Sequence, residues 1–237
     1  MKRIILFCVL FLFTVFNFSG VGAQETHPEK NNETKLSFET VKIGQLPEGW
    51  KVEATHPKGP LATWKVIQDP SAPSGKKVLA LTKINHVFGG TFNLCWTNKT
   101  QFLNGVIEVK FKANTGRGDQ GGGVIWRTQN KDNYYVARYN PLENNFRIYY
   151  VKNGARRMLA SARIKLPAHK WYEMKIVQSG VNISGYLNDR KLLNVKDKTF
   201  RNAGGVGLWT KADAATSFDD FEVESLYSEK AEQKDHD

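Results

Sequence analysis

The segment "GVIEVKFKA", residues 105–113, fixes the kind of fold this chain can adopt. Val106, Glu108, Lys110 and Lys112 alternate with Ile107, Val109, Phe111 and Ala113, so one side is wet and the other dry. That period of two is the signature of a half-buried strand. "WYEMKIVQ", "VNISGYL", "RKLLNV", "GGVGLWT" and "TSFDDFEVE" continue it. Asn188 and Asp189 separate two of these runs, where a tight turn needs residues that tolerate positive φ. No stretch of helical length shows a clean 3.6-residue period. Many short strands broken by turn signals predict an all-β, antiparallel sandwich or barrel.

The N-terminus carries a different message. "MKR" precedes the apolar run "IILFCVLFLFTVFNF" and then "SGVGA", with small residues at Val21 and Ala23. This pattern is that of a secretory signal peptide over 1–23, cleaved after Ala23. The run is shorter than the about 20 residues a bilayer span requires. The expected location is periplasmic or extracellular, with no membrane span after cleavage. Residues 24–35, "QETHPEKNNETK", read as a disordered lead-in and 227–237 as a charged tail, leaving one domain over 36–226. Only Cys95 survives cleavage, so an internal disulfide is excluded and Cys95 reads as a small buried side chain. The formal charge is +11 and falls to about +9 without Lys2 and Arg3. For an exported chain that excess disfavours nucleic acid and favours a glycan or envelope polysaccharide, including acidic ones.

Several stretches together carry a family resemblance. They are "GWKVEATHPKGPLATWKV", "EVKFKA" through "DQGGGVIWR" and "NYYVARYNPLENNFRIYYV", "WYEMKIVQSGVNISGYLNDRKLLNV", and "GGVGLWTKADAATSFDDFEV". They resemble the concanavalin A-like lectin/glucanase superfamily, and within it the laminin G-like bacterial branch grouped with 3-keto-disaccharide hydrolase domains. The resemblance spans nearly all of 36–226. It implies a two-sheet jelly roll with one concave face. It does not imply one activity, because such folds host lectins, glycosidases and adhesion modules.

Arginine recurs in strands otherwise built for burial. Facing Tyr139 with Phe146 across "NPLENN" sets Arg138 against Arg147 and Val136 against Tyr149. Facing Arg127 with Tyr134 across "TQNKDN" sets Gly123 against Arg138. One surface then bears Arg127, Tyr134, Arg138, Arg147 and Tyr149. The other bears Trp126, Tyr135, Ala137, Phe146 and Ile148 and makes the better core. A one-residue slip would bury the arginines. Two arginines directly opposed repel, so carboxylates or a bound ligand should offset them. Arginine forks match carboxylates and vicinal hydroxyls, and tyrosine faces suit sugar rings. Lys211 is placed at the same end of this face, and Gly123 is expected to leave room for a ligand or a long side chain. The competing reading is an internal ion-pair network that pins the sheet.

Catalysis of glycoside hydrolysis would need two carboxyl groups at a set separation. The Glu-x-Asp-x-x-Glu strand of the glucanases this fold resembles is absent. Asp119, Glu143 and Asp213 remain as candidates near strand ends, with turn roles as the alternative for the two aspartates. The histidines, at 27, 56, 86, 169 and 236, show no metal spacing. "LSFET" and "FDDFEVE" resemble paired terminal strands of sandwich modules that hold structural calcium. Glu39, Asp219 and Asp220 are the candidate ligands, with only one of the two aspartates able to point inward.

Overall fold

The computed structural model describes residues 30–227. The signal peptide, the start of the lead-in and residues 228–237 lie outside the described residues. Fifteen strands follow in chain order: β1 (Lys30–Leu36), β2 (Lys51–Thr55), β3 (Thr63–Gln68), β4 (Lys77–Lys83), β5 (Phe92–Phe102), β6 (Gly105–Thr115), β7 (Gly122–Asn130) and β8 (Asn133–Asn140), then β9 (Asn145–Lys152), β10 (Ala155–Arg163), β11 (Trp171–Ser179), β12 (Asn182–Leu187), β13 (Arg190–Lys196), β14 (Gly204–Lys211) and β15 (Ala215–Tyr227). One sheet runs β13-β12-β11-β6-β15-β4-β3, with β1 added along β15; the other runs β10-β9-β8-β7-β14-β5-β2. All pairings are antiparallel. The chain is a single-domain β-sandwich of jelly-roll type. Among the described residues no helix is long and apolar enough to cross a membrane.

The alternation places the core. Ile107, Val109 and Phe111 of β6 are fully buried against Val124, Trp126, Tyr135, Ala137, Phe146 and Ile148 of the opposite sheet. Each large apolar side chain removed from water in this way contributes roughly 1.5–3 kcal/mol. Trp126 carries a polar atom into this layer and satisfies it by donating from Nε1 to Gln178 Oε1 at 2.9 Å. Asn188 and Asp189 have φ of 48° and 60° and join β12 to β13 as a two-residue turn.

Tyr139 faces Phe146, Arg138 faces Arg147, Val136 faces Tyr149 and Gly123 faces Arg138, as the sequence predicts. The expected facing of Arg127 and Tyr134 does not form. The β7–β8 register shifts between Trp126 and Asn130, and Arg127 sits in the shift with φ of 45°. A second correction concerns the lead-in. Residues 30–35 are not without structure, because β1 pairs with the last part of β15 from Lys30↔Tyr227 to Leu36↔Phe221. A main-chain ladder needs no apolar side chains at a sheet margin, so composition alone concealed it.

The second sheet curls around its outer face. Its order separates β10 from β5 by five strand spacings, about 24 Å in a flat sheet at about 4.8 Å each. Yet the Arg156 guanidinium of β10 stands 4.9 Å from the Phe92 ring of β5. His56, just beyond β2, lies with Nε2 3.0 Å from the carbonyl oxygen of Gly154 in the β9–β10 turn. The curl buries a second apolar layer on that outer face, formed by Phe92, Leu94, Ile125, Tyr134, Val136, Tyr149 and Trp209 among others.

The glycine before Val124 serves this packing rather than a ligand. A Cβ on Gly123 would lie 2.0 Å from the carbonyl oxygen of Ala137. Main chain, not open space, fills the gap. Gly123→Ala is therefore expected to lower stability by about 1–3 kcal/mol, measured as a fall in the urea midpoint. An unchanged midpoint would show that β7 and β8 can separate without loss.

Candidate functional site

At one end of the curled face, β8 and β9 bring together the opposed arginines, and the loop between them supplies the offsetting charge. Arg138 is buried, with 2% of its side chain exposed. It donates to Asn145 Oδ1 at 2.8 Å, to Glu143 Oε2 at 3.0 Å and to the Tyr149 hydroxyl at 3.3 Å. Arg147 reaches the same Glu143 oxygen at 3.1 Å and the same hydroxyl at 3.3 Å. One carboxylate thus bridges two guanidinium groups that would otherwise repel. Partial burial works to raise the Glu143 pKa. Hydrogen bonds from Asn145 and Arg138, with the charges of Arg138 and Arg147, outweigh that and hold it at about 2. The Arg138 Nε remains buried without a partner.

A second carboxylate lies beside the first. Asp119 is buried; it accepts from Lys211 Nζ at 2.8 Å and from Asn140 Nδ2 at 2.9 Å. The same Asn140 nitrogen stands 3.4 Å from Glu143 Oε1. The two carboxylates therefore converge to within about 6 Å, near the spacing of retaining glycosidases. Such an enzyme also needs one of its carboxyl groups protonated as the acid. Glu143 is held ionised, so it is not offered as that acid.

Asp213 supports the site without entering it. Its carboxylate accepts from the backbone nitrogens of Arg117 at 2.7 Å, Gly118 at 3.0 Å and Asp119 at 2.8 Å, which fixes the loop that presents Asp119. Those bonds outweigh burial and lower its pKa. Arg127 is also structural. It donates to the carbonyl oxygens of Leu103, Phe200 and Gly180 at 2.6–2.9 Å and so ties loops together away from Arg138. Tyr134 is fully buried, with its hydroxyl 2.9 Å from Thr55 Oγ1 and accepting from Trp209 Nε1 at 3.3 Å, so its ring is no open platform.

One contributor has no signal in the sequence. Arg156 of β10 lies over the rings of Tyr149, Phe92 and Trp209 at 4.5, 4.9 and 5.9 Å. In "ARRMLASAR" it looks like an ordinary surface charge; only the curl carries it over the aromatic floor.

Other concavities have a different character. A cleft of about 290 Å³ lies on the outer side of the first sheet between β1, β6, β11 and β15. In it Lys35 pairs with Glu222 at 2.6 Å and Lys110 with Asp220 at 2.8 Å.

With the geometry in place, the sequence matches a family model described as a 3-keto-alpha-glucoside-1,2-lyase-like domain over residues 43–224. The chain belongs to that family. No curated protein is significantly similar in sequence. Among solved structures, carbohydrate-binding module CBM66 from Bacillus subtilis superposes with a TM-score of 0.57 at 20% identity, covering 74% of this chain and 95% of that one. A beta-glucanase from Bacillus licheniformis gives 0.55 at 10% identity, with coverage of 82% and 98%. A Bacteroides ovatus GH16 protein of a mixed-linkage glucan locus, solved with product, gives 0.55 at 12%, with coverage of 80% and 99%. At these identities the likeness establishes a shared sandwich fold.

In this lyase-like domain two of the expected calcium ligands, Glu39 and Asp219, approach the same loop over residues 74–77. Glu39 accepts from the amides of Lys76 and Lys77 at 2.7 and 2.6 Å. Asp219 is buried and accepts from Ser74 and Asp220 amides at 3.0 and 2.8 Å; burial pushes its pKa up to about 6. Asp220 turns instead to Lys110. Among the described residues no group of three His, Cys, Asp or Glu is arranged to hold a metal.

The Glu143 bridge makes a measurable prediction for the domain. Its pKa in the fold is below the ordinary carboxylate value of about 4.3. The ionised form therefore favours the fold; the stabilisation is complete above that value and is lost as pH falls toward about 2. Glu143→Gln is expected to cost about 1–3 kcal/mol at pH 7, because Arg138 loses its carboxylate. In urea denaturation the gap between the two proteins should shrink from pH 4.5 to 2.5. A gap independent of pH would contradict the bridge.

Proposed function

We propose that the domain binds a glycan on the outer face of its curled sheet. The observation that carries this reading is Arg156, a guanidinium laid over three aromatic rings with no ion pair or hydrogen bond among the described residues. It lies on the same face as the half-exposed rim of Glu143, Arg147 and Lys211. The rings beneath Arg156 are themselves buried, so the polar side chains around it would meet the sugar and take its hydroxyls. Membership of a sugar-related family supports it. The buried Arg138 would act by holding Glu143 and Tyr149 in place rather than by meeting a sugar. Arg147→Ala and Lys211→Ala are the direct test, because both side chains reach solvent. Calorimetry against a panel of oligosaccharides is expected to show at least tenfold weaker binding in each. Lys175→Ala, on the opposite sheet, should bind normally. Rim variants that bind as the unaltered protein does would place the glycan elsewhere.

The convergence of two carboxylates with several cations favours a second reading in which the bound sugar is also cleaved. In a 3-keto-glucoside the ketone acidifies the hydrogen at C2. An ionised carboxylate such as Glu143 would take that proton. The C2–H electron pair would form the C1=C2 double bond while the C1–O bond breaks, and the departing sugar would take up a proton. Guanidinium groups would stabilise the enolate oxygen. Incubation with a 3-keto-disaccharide should then release the departing sugar and an unsaturated keto-sugar, detected by NMR, and Glu143→Gln should abolish it. Intact substrate after prolonged incubation would leave binding alone.

A further inference from the structure

The charges on this face do not balance. Arg138, Arg147, Arg156 and Lys211 contribute four cations. Asp119 and Glu143 contribute two carboxylates, each engaged with a cation at 2.8–3.1 Å. Asp213 forms an ion pair with none of these cations; its oxygens accept three backbone amides. Arg156 is the one of the four cations with no ion pair among the described residues. Its Nη1 is sealed among the rings without an acceptor, and no protein acceptor among the described residues meets the rest of its fork. A guanidinium withdrawn from water without a counter-ion is unfavourable, and the neighbouring charge of Arg138 adds to the burden. Burial and that neighbour act to lower the Arg156 pKa and prevail over Tyr149, Asp119 and Tyr134, which act to raise it. An incoming anion would relieve the imbalance.

The chemistry narrows the anion. With Nη1 sealed, the Nε–Nη2 edge of the Arg156 guanidinium remains to match a planar carboxylate through two parallel hydrogen bonds. A sugar that carries such a group presents a carboxylate for Arg156 and hydroxyls for the partly exposed Glu143, Arg147 and Lys211 around it. We propose that the ligand of this face is an acidic glycan whose uronate carboxylate docks on Arg156 above Tyr149. This inference rests on the glycan-binding reading and sharpens it.

The test compares oligogalacturonate, oligomannuronate and a glucuronate-containing oligosaccharide, each with its carboxyl-reduced counterpart of equal length, by calorimetry at low salt. At least one oligouronide is expected to bind tenfold or more tighter than its reduced form. The preference should fall as salt is raised, because screening weakens partly exposed ion pairs. Arg156→Gln should bring the two affinities together, and Arg156→Lys should restore part of the difference. Equal or tighter binding of the reduced forms would overturn the acidic-glycan assignment while leaving the glycan face intact. Preference for an oligouronide that persists in a folded Arg156→Gln protein would overturn the role of Arg156. Binding of neither class to the unaltered protein would overturn both readings. Should Arg156→Gln fail to fold, the charge preference of the unaltered protein and its salt dependence still decide the assignment.

Discussion

The structure depends on the curl of the sheet that contains β8. In an ordinary sandwich a strand is dry on its inner side and wet on the other. Here Tyr135, Ala137 and Tyr139 fill the inter-sheet core, while Tyr134 and Val136 are buried just as deeply on the other side. Such a strand is stable only if its own sheet bends to cover its outer face. The Tyr134 hydroxyl meeting Thr55 and Trp209, and the contact of His56 with Gly154, hold the bend at separate points. Once the sheet is bent, charges from strands far apart in its order share a small volume, and carboxylates are needed between them.

Much of this architecture is written in the alternation of residues, and the departures have physical causes. The β8–β9 register is legible because a slip would carry Arg138 and Arg147 into the layer of Phe146 and Ile148. Arg127 escapes the same logic because three residues of irregular pairing intervene, and simple alternation ends where a ladder shifts. Gly123 resembles an opening to a reader of sequence, yet a carbonyl oxygen occupies the space. β1 is polar up to its last residue, Leu36, and is held to β15 by main-chain pairing, so it leaves almost no hydrophobic trace. Arg156 is the most consequential omission. Its neighbours in sequence are ordinary, and its partners Phe92 and Trp209 lie more than fifty residues away in both directions.

The carboxylates show how a structural network and a ligand site can share residues. Glu143 is needed to hold Arg138 and Arg147 side by side, and their charges and hydrogen bonds give it a low pKa that argues against a proton-donor role. The same engagement keeps Asp119 and Glu143 oriented. A ligand carrying its own carboxylate would join this network without displacing any member of it. A neutral ligand would need to compete for hydrogen bonds already made. Preorganisation of that kind favours partners that bring what the site lacks.

The pairing of the first and last strands has a consequence of a different sort. Because β1 and β15 run antiparallel from Lys30↔Tyr227, the two ends of the described chain meet at one corner of the sandwich. A connector of a few residues could join them, and the ring so made could be opened at an exposed turn such as Asn188–Asp189. The module could likewise be spliced as a guest into a loop of another protein, entering and leaving through a single narrow stalk.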